Sequence, residues 1–168
     1  MSGSFEKLDV PPTLVSFAVA AGDTRRILSP EFKKAGSRLS LLQADPFDPQ
    51  AMRSLYKQVE ELIQNHQVLS VYVPGHGGLA EALFKMGVGN HIGVEIADSF
   101  PIDRLFGWCY GSFLLELAEG VTVGEPVGHT TASYHFYGDG QQVDLSVVQE
   151  VWEKKLEPVM PYRQAPGS

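Results

Sequence analysis

The sequence predicts an α/β (α+β) fold, in which a mixed β-sheet carries helices mainly on one face. Three observations support this prediction. In the first half of the chain, apolar runs typical of strands alternate with helical periodicity, and in the second half strand-like runs dominate. The composition is that of a globular domain, with 43% hydrophobic and 20% charged residues. The length of 168 residues suits one domain.

The part of the chain up to Asn65 contains two predicted strands and one helix. The apolar run Leu14–Val19 predicts a strand that enters the core, and Arg38–Leu42 predicts a second strand. Asp48 and Pro49 are typical of an N-cap and a first helical residue, and this helix is predicted to end near Asn65. Its apolar residues recur at helical spacing, at Met52, Leu55, Val59, Leu62 and Ile63.

The part of the chain after Asn65 is richer in strands. These strands are predicted at Val68–Val73, Val94–Ile96, Ser112–Leu117 and Ser133–Tyr137. A short helix is predicted from Leu79 to Met86, and one helical turn over Ile102–Phe106. Asp144 is predicted to cap a last helix, after a turn at residues 138–140.

Charge, cysteine content and apolar run length exclude several classes of protein. The net charge is −7 and no Lys/Arg cluster follows a helix face, which argues against nucleic-acid binding. The single cysteine, Cys109, has no disulfide partner, and beside Phe106 and Trp108 we expect a small buried hydrophobe. Met1–Pro12 lacks the features of a signal peptide, and the apolar run Leu14–Ala21 is too short to span a membrane. We therefore expect a cytoplasmic protein.

The best candidate for a binding site is the glycine-rich turn between a predicted strand and a helix. The candidate nucleotide-binding residues are Gly75, His76, Gly77 and Gly78. Glycines let a ligand approach the backbone, and the start of a helix offers N–H groups and a positive dipole end to a phosphate. The turn matches neither a P-loop nor a dinucleotide fingerprint. A tight structural turn is the alternative, which the residues alone favour.

Other side chains give weaker indications of function. The five histidines are His66, His76, His91, His129 and His135, and they form no HExxH pattern. We predict no metal site, and we expect His129 and His135 to lie on separate strands. Glu95 and Glu116 lie in predicted strands, where a carboxylate either has a function or points to solvent. No Ser-His-Asp pattern is present, and no catalytic residue is predicted.

Several segments resemble one known family, in the same order along the chain. Gly77–Met86 resembles the Gly-Gly-Leu-x-x-Ala-Leu-x-x-Met helix of AIR synthase-related C-terminal domains. The further segments resemble the phosphoribosylformylglycinamidine synthase family, and they are Leu14–Val19, Asp23–Arg26, Ser29–Pro30, Lys33–Leu39, Gly89–Glu95, Leu105–Phe106, Gly111–Glu116 and Trp152–Val159.

This resemblance implies a fold and a parent enzyme. Residues 1–168 are expected to form a single AIR synthase C-terminal domain-like unit, the second one of a long single-chain ligase, with flexible ends at 1–12 and 160–168. The parent uses ATP, Mg²⁺ and ammonia from glutamine to make formylglycinamidine ribonucleotide in purine biosynthesis. The implied partners are an N-terminal AIR synthase-like domain and a glutaminase domain. The isolated chain is expected to be inactive, and a dimer of it is an open alternative.

The chain departs from the family at the glycine-rich turn. Relatives carry His-Asp-x-Ser-Asp-Gly-Gly-Leu, whereas this sequence has Tyr72–Leu79 without those carboxylates and hydroxyl. Val73 and Gly75 supply no side-chain oxygen for a hard cation. We therefore expect nucleotide contact through the backbone, and no metal bound by this domain alone. The alternative is a structural or interaction module with a degenerate nucleotide site.

Overall fold

The computed structural model describes residues 3–5 and 8–158, which form nine strands, three α-helices and two 3₁₀ helices. The strands are β1 Gly3–Phe5, β2 Leu8–Val10, β3 Arg38–Gln43, β4 Val68–Tyr72, β5 Gly93–Ile96, β6 Ser112–Leu117, β7 Glu125–Thr131, β8 His135–Gly138 and β9 Gln141–Asp144. The helices are α1 Pro49–Gln64, α2 Gly78–Val88 and α3 Leu145–Lys154, with 3₁₀ helices at Thr24–Arg26 and Ile102–Phe106. None of the helices described is long and apolar enough to cross a membrane.

The main sheet has seven strands in the order β4-β6-β3-β7-β5-β8-β9. All neighbouring pairs are antiparallel except β5 and β8, which are parallel. The predicted mixed sheet is therefore confirmed. The pair β1–β2 forms a separate antiparallel hairpin.

The helices divide unequally between the two faces of the sheet. On one face, Leu39, Leu41 and Leu114 pack in a buried cluster with the apolar side of α2 and with Leu105 of the second 3₁₀ helix. Helix α3 joins α2 through an edge-to-face contact of Trp152 with Phe84, whose ring centroids are 5.8 Å apart. On the other face, α1 packs against the side chains of β3, β4 and β6, including Leu42, Leu115 and Leu117. Most helices thus lie on one face, as predicted.

The predicted strand at Leu14–Val19 is wrong for this structure. Residues 11–23 have no regular secondary structure, and Leu14, Val15, Phe17 and Val19 are 76–94% exposed. The apolar and β-branched composition predicted a core strand, but the seven-stranded sheet is complete without it. The composition of a segment indicates that its side chains favour burial. It does not indicate which surface covers them.

The prediction missed two strands of the main sheet. Strand β7 contains Pro126, Gly128 and four polar residues, yet it lies between β3 and β5. Strand β9 is exposed at all four positions and is placed by its turn with β8. Of the predicted flexible ends, residues 3–5 and 8–10 pair in the hairpin, and 160–168 lie outside the described residues.

Candidate functional site

The glycine-rich turn lies between the end of β4 and the start of α2. Gly75, His76 and Gly77 are exposed or half-exposed there, whereas Gly78 is buried. The N–H of Gly78 donates to the carbonyl of Gly75 at 3.2 Å, and Gly77 takes the N-cap position of α2 without a capping side chain of its own. The structure thus brings the four predicted residues together, at the N-terminal end of a helix.

A carboxylate already occupies this helix end. Oε2 of Glu81 accepts the backbone N–H of Gly77 at 2.8 Å, and Oε1 pairs with Nζ of Lys85 at 2.5 Å. The Lys85 ammonium, and then the Gly77 N–H, lower the pKa of Glu81. An anion that approached Gly77 would meet this negative charge. The spacing of Glu81 and Lys85, four residues apart on a helix, is the sequence signal for this pair.

The turn is also held tightly by the second 3₁₀ helix. Gly78 has a φ of +69°, and a Cβ there would lie 2.7 Å from the carbonyl oxygen of Leu105 and 2.9 Å from that of Gly107. Only glycine fits such a close approach with a positive φ. Gly75 has no atom within 4 Å of its added Cβ. Gly78 is therefore required by packing, whereas Gly75 is open toward solvent.

Exposed aromatic side chains follow the segment that packs on the turn. Phe106 is 75% exposed and Trp108 is 85% exposed, and Trp108 meets Tyr110 edge to face at 5.5 Å between centroids. Cys109 lies between Trp108 and Tyr110 in the sequence. It is buried, and burial raises the pKa of its thiol. A buried thiol is a poor nucleophile, so the expected role of Cys109 as a small hydrophobe agrees with its place in the core. Its aromatic neighbours, however, lie outside that core.

The two strand glutamates have opposite environments. Glu116 is fully buried, and its Oε2 accepts the Lys33 N–H and the Ser70 hydroxyl, each at 2.8 Å. Its Oε1 accepts the Lys34 N–H at 3.3 Å. Glu95 is exposed on β5 and lies 3.4 Å from Nε2 of His129 on β7. Glu116 therefore fixes the loop before β3 to the sheet, and Glu95 points to solvent.

The histidines are dispersed over the structure. His129 lies on β7 and His135 on β8, separated by β5, as expected. His135 shares a hydrogen bond of 2.8 Å with the Ser133 hydroxyl. Within residues 3–5 and 8–158, no three His, Cys, Asp or Glu side chains are grouped so as to hold a metal.

Two cavities lie away from the turn. The first, of about 420 Å³, is lined among others by Lys34, Arg38 and Glu119. It adjoins Leu117, which pairs with Val68 at the start of β4, so it lies at the opposite end of the sheet from the turn. The second, of about 490 Å³, lies between α1 and residues 21–27. Neither of these two cavities is lined by Gly75, His76, Gly77 or Gly78.

Comparison with solved structures identifies a larger protein that contains this fold. T. maritima PurL complexed with ATP superposes with a TM-score of 0.65 at 12% identity, over 86% of this chain and 30% of that chain. The chain has the fold of part of T. maritima PurL. The PurL complexes with FGAR and with ADP give a TM-score of 0.62 at 12% identity, over 74% of this chain.

The share of PurL that is matched is small. This chain spans 27–30% of the length of the PurL chains, which also include phosphoribosylformylglycinamidine synthase II from Thermotoga maritima. At 12% identity the similarity to PurL establishes the fold alone. No protein-family model matches the sequence, and no curated protein matches it.

Proposed function

We propose that this chain is a domain of a phosphoribosylformylglycinamidine synthase, the ATP- and glutamine-dependent ligase of purine biosynthesis. The observation that carries the proposal is the fold shared with PurL, whose structures are described as complexes with FGAR, ATP and ADP. The order of the sequence segments that resemble this family supports it independently. In the parent ligase, this domain works in the cytoplasm beside an N-terminal AIR synthase-like domain and a glutaminase domain.

In this proposal the glycine-rich turn forms one wall of a nucleotide cleft. The backbone of Gly75–Gly78 faces the phosphates, since the helix end there offers N–H donors and a positive dipole end. The neighbouring domain supplies the second wall, because Gly75, His76 and Gly77 are exposed or half-exposed in this chain. The chain contributes no general base, and the isolated domain is inactive.

The turn does not fit a magnesium ion. Val73 and Gly75 carry no side-chain oxygen, and the nearest carboxylate, Glu81, is engaged by the Gly77 N–H and Lys85. Magnesium prefers oxygen ligands in near-octahedral geometry. Any Mg²⁺ of the parent ligase is therefore held by other domains or by the nucleotide.

A second candidate function rests on the same carboxylate. Glu81 lies where a phosphate would bind and forms two strong contacts there. This arrangement favours an interaction module with a degenerate nucleotide site, which stabilises its neighbours in the ligase and binds no nucleotide. The two functions differ in one measurable property, which is the affinity of the turn for ADP.

The two functions are separated by measuring the affinity for ADP with titration calorimetry. The protein used is the full-length polypeptide that carries this sequence in its source cells. Gly75→Asp places a negative charge at an open position and is expected to weaken ADP binding more than tenfold. Gly75→Ala adds bulk without charge and is expected to change the affinity less than threefold.

Two further results would decide against the nucleotide cleft. Gly3 is exposed and has no atom within 4 Å of an added Cβ, so Gly3→Asp serves as a control of equal charge. If Gly75→Asp and Gly3→Asp have the same effect, nucleotide does not contact the turn. A Glu81→Gln variant that gains ADP affinity, in a protein that otherwise binds none, would support the degenerate site.

A further inference from the structure

The apolar arm, which we define as Pro11–Gly22, is the largest feature that the proposed function leaves unexplained. It carries no charged residue between Asp9 and Asp23. Its larger side chains Leu14, Val15, Phe17 and Val19 are 76–94% exposed. Exposure of so contiguous an apolar segment usually marks an interaction site.

The backbone of the arm is available for pairing. Among the described residues, the segment Leu14–Ala20 makes no hydrogen bond, and it forms neither helix nor strand. Valine and phenylalanine favour strands, and no proline or glycine interrupts Thr13–Ala21. The segment therefore has the composition of a β-strand and lacks only a strand beside it.

The side-chain pattern specifies the kind of sheet that fits. In an extended strand, Leu14, Ser16 and Ala18 face one side, and Val15, Phe17 and Val19 face the other. Neither side carries a charge. Strands with two apolar faces belong to sheets that are covered on both sides. Strands with one solvent-exposed face alternate polar and apolar residues.

We propose that Leu14–Val19 is a β-strand that pairs with a sheet of a neighbouring domain in the same polypeptide, where both of its faces are covered. This inference rests on the part of the proposed function that makes the chain one domain of a larger protein. The matched PurL chains support that setting, because this chain spans only 27–30% of their length.

The sheet of a second copy is a poorer acceptor. Its β9 edge is exposed at all four residues, so a strand added there would leave the side with Phe17 in water. Its other edge, β4, is the alternative acceptor, and pairing there would produce a dimer that depends on the arm. The experiment separates these two acceptors.

The proposal is tested by amide hydrogen exchange of the arm. The exchange is measured by mass spectrometry on the full-length polypeptide and on the 168-residue chain. We expect exchange of residues 14–19 to be at least 100-fold slower in the full-length polypeptide, and fast in the monomeric 168-residue chain. A full-length polypeptide in which these amides exchange as fast as in the short chain would overturn the inference and leave the proposed ligase function intact.

Variants distinguish strand pairing from general burial. Ser16→Pro removes a backbone donor, and Phe17→Asp places a charge on the larger face. In the full-length polypeptide each is expected to raise exchange across the arm at least tenfold. Phe47→Asp is the matched control, because Phe47 is 90% exposed but lies in the turn before α1. If Phe47→Asp has the same effect as Phe17→Asp, the arm is not paired specifically.

Two other outcomes would also overturn the inference. One is a dimer of the 168-residue chain, detected by light scattering. In this dimer the amides of the arm would be protected from exchange, and Phe17→Asp would dissociate it. The other is a polypeptide of only 18.4 kDa in the source cells, which would remove the neighbouring domain and the proposed ligase together.

Discussion

At the scale of single residues, the carboxylate of Glu116 is fully buried and hydrogen-bonded. Its oxygens accept hydrogen bonds from three donors, which are the N–H groups of Lys33 and Lys34 and the hydroxyl of Ser70. A buried donor that loses its acceptor costs about 1–3 kcal/mol. We expect Glu116→Ala to lower the free energy of unfolding by about 3 kcal/mol or more, measured by urea denaturation.

The matched control is Glu95→Ala on the exposed side of β5. The side chain of Glu95 forms an exposed ion pair with His129, and exposed ion pairs contribute little. Its substitution is expected to change the free energy of unfolding by less than about 0.5 kcal/mol. Equal effects of the two substitutions would show that Glu116 does not anchor the loop before β3.

Acid sensitivity is also a property of single residues. The Lys33 ammonium, and then the Ser29 hydroxyl, lower the pKa of Glu31 from 4.5 to about 2. Because the folded-state pKa lies below the unfolded one, the ionised carboxylate stabilises the fold above pH 4.5, and this contribution disappears as the pH falls toward 2. Glu31→Gln is expected to flatten the loss of stability over this range, measured as urea midpoints. An unchanged pH profile would contradict the contact with Lys33.

At the scale of elements, the junction between α2 and the second 3₁₀ helix depends on one glycine. Gly78→Ala adds a Cβ 2.7 Å from the Leu105 carbonyl oxygen at a φ of +69°. Backbone strain of this kind costs about 1–3 kcal/mol, so a loss of that size is expected in thermal or urea unfolding. Gly75→Ala is the control and is expected to be neutral, because its Cβ meets nothing within 4 Å.

The elements also show why local signals succeeded for helices and failed for some strands. Asp48 caps α1 by accepting the N–H groups of Gln50 and Ala51, as its position before Pro49 predicted. These interactions lie within a few residues of each other in sequence. Strand β7 has no such local signal, because it is specified by β3 and β5 on its two sides.

At the scale of the whole molecule, the large side chains of the apolar arm lie outside the buried core. Phe32 is fully buried, and its N–H donates to the carbonyl of Met86 at 2.8 Å. Phe32→Ala is expected to lower the free energy of unfolding of the 168-residue chain by about 3–5 kcal/mol. Phe17→Ala is expected to change it by less than about 0.5 kcal/mol, since Phe17 lies outside the core. Comparable losses in urea denaturation would place the arm inside the cooperative unit.

The sequence by itself determined the class of fold, the three helices with the caps of α1 and α3, five of the seven strands of the main sheet, and the glycine-rich turn between β4 and α2. These features depend on periodicity, capping and turn residues, which act over short distances along the chain.

Only the tertiary structure decided which groups share a surface. It decided that Glu116 is buried and Glu95 exposed, that Glu81 lies against the candidate phosphate site, and that Leu14–Val19 remains in water. Glutamates have the same local propensity whether buried or exposed, and an apolar run has the same composition whichever sheet accepts it. These outcomes depend on partners that are distant in sequence, and no short-range pattern encodes them.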